Sequence, residues 1–194
     1  MAGFTREVAY RIFAQELRDT TVALERDSDD AYAPQYVLTP TGAKVNRVFV
    51  VGTLTEKEDI GTDTEYWRAR ISDPTGASFI YAGQYQPDAT RALVDATVAD
   101  ADAETPEFLA VVGKVGIYTT EDGNVLTSLR PETISIVDAE TRDRWVLETA
   151  RQTVDRIKRL EDGSSENLAM VEEHYSLDLE QYRQMVVSAL ESLV

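Results

Sequence analysis

Between residues 44 and 138 the chain alternates short β-prone runs with turn chemistry, and this rhythm limits its fold more than any other feature. The first run, Val45-Asn46-Arg47-Val48-Phe49-Val50-Val51-Gly52-Thr53-Leu54-Thr55, is rich in β-branched and aromatic residues. A period of two places Val48, Val50 and Leu54 on one face and Phe49, Val51 and Thr53 on the other. Both faces are apolar, so both are expected to be covered, and Gly52 suits a strand that bends sharply. Residues 56–63 are acidic and read as a solvated hairpin loop; the alternating acids and fixed glycine of a calcium loop are missing. In the second run, 66–72, Trp67, Ala69 and Ile71 point one way and Tyr66, Arg68 and Arg70 the other. Asp73-Pro74-Thr75-Gly76 is a turn by its chemistry, with proline second and glycine fourth. The third run, 78–85, turns Ser78, Ile80 and Ala82 inward and Phe79 and Tyr81 outward.

Pro87 then opens a helix reaching about residue 98, with Leu93, Val94 and Val98 as its core face. Residues 100–106 form an acidic linker. A fourth run, 108–119, sets Leu109, Val111, Gly113, Val115 and Ile117 on one face and Val112, Lys114 and Tyr118 on the other. Glu121-Asp122-Gly123-Asn124 marks a hairpin. The fifth run spans 125–129, Arg130-Pro131-Glu132 ends it, and 133–137 returns to the wall. Three strands, a helix and two strands is the element order of an OB-fold, a five-stranded Greek-key barrel that commonly binds oligonucleotides or oligosaccharides. The class expected is mainly β with flanking helices, and the helix between strands three and four plugs one barrel end.

The flanks read as attachments. Residues 1–43 make an N-terminal arm: a helix over 5–19 capped by Thr5, a charged loop over 25–30, an extended piece over 32–39 and a turn at Pro40-Thr41-Gly42. Such an arm is too short to own a core and is expected to pack on the barrel, residues 44–140. Residues 141–194 are helical. Trp145, Leu147, Ala150, Val154, Ile157 and Leu160 form a stripe near 3.6 spacing. Arg142, Arg144, Arg151, Arg156, Lys158 and Arg159 make this the one basic stretch, with Glu148–Arg151 and Asp155–Arg159 as expected ion pairs. Gly163-Ser164-Ser165 breaks the helix, and Ser176 reads as the cap of a last amphipathic helix. Its apolar side, Leu179, Tyr182, Val186, Leu190 and Leu193, either covers the barrel or receives a partner subunit.

Charge narrows the function classes. Thirty-five acids against 19 bases give a net charge of −16, and 15 of the bases are arginine. An ordinary nucleic-acid binder needs a basic face, so the chain either avoids polyanions or works in concentrated salt, where the Debye length is ~3 Å. The absence of cysteine removes disulfides, thiolate metal sites and a cysteine nucleophile. His174 is the only histidine and has no partner of its kind for a metal. No phosphate loop or nucleophile–base pair stands out, so no catalytic residue, metal or cofactor is expected. The N-terminus carries no apolar signal core, and no apolar run reaches the ~18–20 residues of a membrane span. A cytoplasmic protein without a membrane partner is expected.

The most specific chemistry lies on the second and third strands. Arg68, Arg70, Phe79 and Tyr81 share one outer face, with Lys114, Tyr118 and Arg130 as further candidates for the same groove. Guanidinium groups beside flat rings meet what single strands offer, phosphates and base faces. The competing expectation is that the helical arms cover Phe79 and Tyr81.

Four motifs in order carry a family resemblance: Asp73-Pro74-Thr75-Gly76; Phe79-Ile80-Tyr81-Ala82-Gly83-Gln84-Tyr85-Gln86-Pro87; Ala110-Val111-Val112-Gly113-Lys114; and Leu129-Arg130-Pro131-Glu132. The set resembles the archaeal replication protein A-associated proteins, OB-fold proteins best known from halophilic archaea. Thr5-Arg6-Glu7-Val8-Ala9-Tyr10-Arg11 and Tyr182-Arg183-Gln184-Met185-Val186 extend the resemblance toward both ends. It implies an accessory subunit of a single-stranded-DNA-binding complex in DNA replication and repair, with a larger replication protein A-like OB-fold subunit as partner. The missing zinc-finger cysteines place the chain as the smaller subunit, and its acidity fits a halophilic origin.

Overall fold

The computed structural model of the chain describes residues 7–26, 33–99 and 107–193. The expected linker at 100–106, most of the charged loop and the first two residues of the expected N-terminal helix lie outside them.

Five long strands close into a barrel. They are β4 (Arg47–Asp59), β5 (Tyr66–Asp73), β6 (Gly76–Gly83), β7 (Phe108–Thr119) and β8 (Val125–Val137), in the order β4-β5-β6-β8-β7. All neighbours are antiparallel except β6 and β8, which meet in parallel at Ile80 and Leu129. This is the OB-fold. Of the residues assigned inward by the period of two, Val48, Val50, Leu54, Ala69, Ile71, Ile80, Ala82, Leu109, Val111 and Val115 are buried, while Trp67, Ser78 and Ile117 are half-buried.

β4 serves two neighbours. Arg47–Thr53 pairs with β7 and Thr53–Asp59 with β5, so the strand turns at Gly52. A Cβ there would lie 2.6 Å from the Ser72 carbonyl oxygen. Gly52→Ala is expected to lower stability by about 1–3 kcal/mol, read as a lower denaturation midpoint. An unchanged midpoint would show that the β4–β5 crossing yields freely.

Two bulges escape the period-two reading. Leu54 faces Ile71 but Glu56 faces Arg70, so Thr55 is extra and the phase flips beyond it. The expected acidic loop at 56–63 is therefore strand through Asp59, with Glu56 and Glu58 outward. Lys57 turns in and donates to the Val94 and Ala96 carbonyls at 2.5 and 2.7 Å, satisfying the end of α2 (Pro87–Asp95). That helix stops three residues before the expected end. The second bulge lies between Val112 and Gly113, which face Thr133 and Pro131. β8 thus runs through Arg130-Pro131-Glu132, where an end was expected. The extra residue, Glu132, accepts from Arg47 at 2.7 Å.

The N-terminal helix is much shorter than expected. α1 is Ala14–Arg18 alone. Before it the chain is extended, with Tyr10 N–H on the Arg47 carbonyl at 2.9 Å and Phe49 N–H on the Tyr10 carbonyl at 2.8 Å. Ile12 and Phe13, adjacent in sequence, are both fully buried, and Val8 is exposed, so the helical spacing of Val8 and Ile12 has no counterpart. The Asp73 carboxylate accepts the Ala14 N–H at 2.7 Å and the Thr75 N–H and hydroxyl, each at 2.7 Å. Burial pushes this carboxyl above its ordinary value, against the pull of those donors. The β5–β6 turn therefore anchors α1 at one barrel end, while α2 follows β6 at the other.

A small sheet of β1 (Val22–Ala23), β2 (Val37–Leu38) and β3 (Lys44–Val45) leads into the barrel. After it come α3 (Ala139–Glu161), α4 (Leu168–His174) and α5 (Leu179–Glu191). Asp138 caps α3 by accepting the Thr141 N–H at 2.8 Å. Trp145 is buried, meets Phe13 edge-on and donates its indole N–H to the Phe49 carbonyl at 2.9 Å. The buried stripe runs through Trp145, Val146, Thr149, Ala150, Thr153, Ile157 and Leu160; Leu147, expected in it, is exposed. Of the two expected ion pairs, Glu148–Arg151 forms at 2.8 Å. One continuous core joins Ile12, Phe13 and Leu17 to the barrel, to Trp145 and to Val186.

The C-terminal apolar side is filled from within. Tyr182 and Val186 are buried, and Leu179, Leu190 and Leu193 are partly buried against the same core. The helix this side meets is α3. Asp178, not Ser176, precedes α5. Among the described residues no helix is long and apolar enough to cross a membrane.

Candidate nucleic-acid interface

α3 and the N-terminal arm cover the barrel wall near Phe49 and Phe108, where Arg11 and Arg142 each lie over a ring at 5.1 Å. The outer face of β5, β6, β8 and the second half of β7 is left open. Strand register puts Arg68 beside Tyr81 and Arg70 beside Phe79. Phe79 is 40% exposed, so the expectation that the arms hide it fails.

The face is more aromatic than the sequence alone made visible. Tyr66 stacks on Tyr81 with centroids 6.0 Å apart and planes at 25°. Burial, with the neighbouring Tyr118, pushes the Tyr81 hydroxyl above its ordinary value. Tyr118 is 45% exposed and Tyr85, just beyond β6, is 83% exposed. A groove of about 440 Å³ runs between Tyr66, Tyr81, Tyr85, Ser128 and Arg130, and Gly116 leaves its floor open. It continues into one of about 330 Å³ that reaches Lys114.

The cations on this face fall into two groups. Lys114 and Arg130 are cross-strand neighbours, and among the described residues neither has an ion-pair partner. Arg68 and Arg70 are engaged: Arg68 reaches Glu58 at 2.8 Å and Arg70 reaches Glu56 at 3.1 Å. Those pairs are exposed, and exposed pairs contribute ~0–1 kcal/mol to stability, so they add little to the fold.

The structure thus brings Arg68, Arg70, Phe79, Tyr81 and Tyr118 together, with Lys114 at the far end of the same face. Sequence reasoning left Tyr66 and Tyr85 out of the groove. Tyr66 shares the phase of Arg68 and Arg70, which was signal enough; Tyr85 sits in a turn, where period two says nothing. A larger cavity of about 690 Å³ opens elsewhere, among Tyr36, Lys44, Arg47, Arg156 and Asn167. Of its three arginines, Arg47 pairs with Glu132 and Arg156 with Glu16, while Arg159 has no ion-pair partner among the described residues. Among the described residues no cluster of three or more acids or histidines is placed to hold a metal.

No protein-family model matches the chain, and no curated protein matches it. Solved structures with similarity include the OBody NL8 bound to hen egg-white lysozyme, at 16% identity and TM-score 0.33, covering 48% of this chain and 96% of that one. The mitochondrial single-stranded DNA binding protein Rim1 of S. cerevisiae is 18% identical with TM-score 0.32, over 47% of this chain and 94% of that one. Yeast Stn1 and Ten1 give 12% identity and TM-score 0.31, over 73% of this chain and 62% of theirs.

Proposed function

We propose that this chain binds single-stranded DNA on the outer face of β5, β6, β7 and β8, as an accessory subunit of a replication protein A-like complex in replication and repair. The observation that carries the binding is the row of exposed Tyr66, Phe79, Tyr85 and Tyr118, with half-buried Tyr81 among them, interleaved with Arg68, Arg70, Lys114 and Arg130. Each base stacked on such a ring contributes ~1–3 kcal/mol, and ring faces accept any base. Stacking dominates because the whole chain carries −16 and only Lys114 and Arg130 of these cations are free of carboxylates. The archaeal family assignment rests on the four ordered motifs; the larger OB-fold partner and the salt-rich cytoplasm follow from it. A purely interacting subunit held through α5 is disfavoured, since Tyr182 and Val186 are already buried in this chain.

An oligo(dT) titration of the full chain across potassium chloride tests the binding. Two free cations predict a shallow dependence, with log K falling by only about 1.4 per decade of salt, and binding that survives about 1 M. No binding at any salt would sink the proposal. A slope several times steeper would sink the stacking account.

A further inference from the structure

The side chains of Glu56 and Glu58 bury little, and they lie on the proposed binding face at fixed register positions. Glu58 faces Arg68 and Glu56 faces Arg70 across the β4–β5 ladder. They are there because the bulge after Leu54 flips the strand's phase. Both carboxylates and both guanidinium groups are well exposed, so the pairs bury little and seal nothing. Their effect falls on what approaches the arginines.

We propose that Glu56 and Glu58 are specificity-determining residues that select single-stranded over duplex DNA, an inference that rests on the binding reading above. A duplex offers this face only phosphates, at positions set by a stiff helix. To reach Arg68 and Arg70 it must displace the carboxylates and then hold its phosphates beside them. A single strand offers bases to Tyr66, Phe79, Tyr81 and Tyr118, and its flexible backbone routes phosphates past Glu56 and Glu58 toward Lys114 and Arg130. The carboxylates therefore penalise backbone-only contact more than stacking. In an acidic protein with an open arginine-bearing face, such a penalty keeps the face off unmelted DNA.

The test compares the wild-type chain with Glu56→Gln/Glu58→Gln, binding oligo(dT) and a blunt duplex of equal length in about 0.1 M potassium chloride. Glutamine keeps the shape and hydrogen bonding of each acid. The variant is expected to bind duplex about tenfold more tightly and oligo(dT) no more than about threefold, so that the preference for single strands falls. Glu172→Gln/Glu173→Gln, the same charge change on exposed positions of α4, is expected to leave the preference unchanged. An equal gain for both ligands, no gain for either, or an equal fall in preference in the α4 variant each overturns the inference while the binding reading stands. Failure of the wild type to bind oligo(dT) overturns both.

Discussion

Arg156→Met is expected to lower the stability of the chain by about 3–5 kcal/mol, the cost of leaving one member of a buried ion pair alone. Glu16 on α1 is fully buried and Arg156 on α3 nearly so, and they meet at 2.9 Å. The network around them is closed. Arg156 Nε donates to the Thr41 hydroxyl at 2.8 Å, that hydroxyl donates to the other Glu16 oxygen at 2.5 Å, and Arg156 also reaches Thr153 at 3.1 Å. Removing the guanidinium leaves the fully buried Glu16 carboxylate without its countercharge. The pair's net contribution is a different quantity, because burying both charges carries its own desolvation cost. Glu16→Leu/Arg156→Met is therefore expected to recover most of the loss. Denaturant melts of the three proteins decide the matter. A single variant within about 1 kcal/mol of wild type would mean that Glu16 finds water or another donor.

The second large effect is on binding. Phe79→Ala/Tyr81→Ala removes two stacking positions and is expected to weaken oligo(dT) affinity at high salt by about 30-fold or more, from ~1–3 kcal/mol per base. Phe79 is well exposed, and Tyr81 packs chiefly on Tyr66 and Tyr118 at the surface. The barrel should keep its circular dichroism and most of its melting temperature. A folded variant with wild-type affinity would move the site off this face. Lys114→Ala offers the contrast: it should weaken binding mainly in dilute salt, where a lone cation counts.

Most of the barrel was legible because strands buried on one side write a period of two, and because Asp73-Pro74-Thr75-Gly76 and Glu121-Asp122-Gly123-Asn124 are turns by local chemistry. What was not legible has specific causes. The bulge at Thr55 inserts one residue without a sequence mark, so the outward placement of Glu56 and Glu58 beside the arginines was hidden, and with it the neutralisation of the two expected phosphate contacts. Pro131 reads as a strand end, but it sits where β8 bulges and its missing N–H is tolerated. In the arm, Val8 and Ile12 fall at helical spacing while the backbone of Tyr10 hydrogen-bonds to β4, a long-range partner that local propensity cannot report. The two apolar roles of α5 were indistinguishable in sequence, since an amphipathic face looks the same whether its own chain or another covers it.

The salt bridge under α3 also sets an order of events during synthesis. Glu16 and Arg156 are 140 residues apart, so the carboxylate leaves the ribosome long before its countercharge. The last barrel strand, ending at Val137, is made earlier still than Arg156. A nascent chain can thus close its barrel and set α1 on the β5–β6 turn while Glu16 still lacks its countercharge. What waits for α3 is the neutralisation of Glu16, which ties the final burial of that carboxylate to the production of the first tail helix.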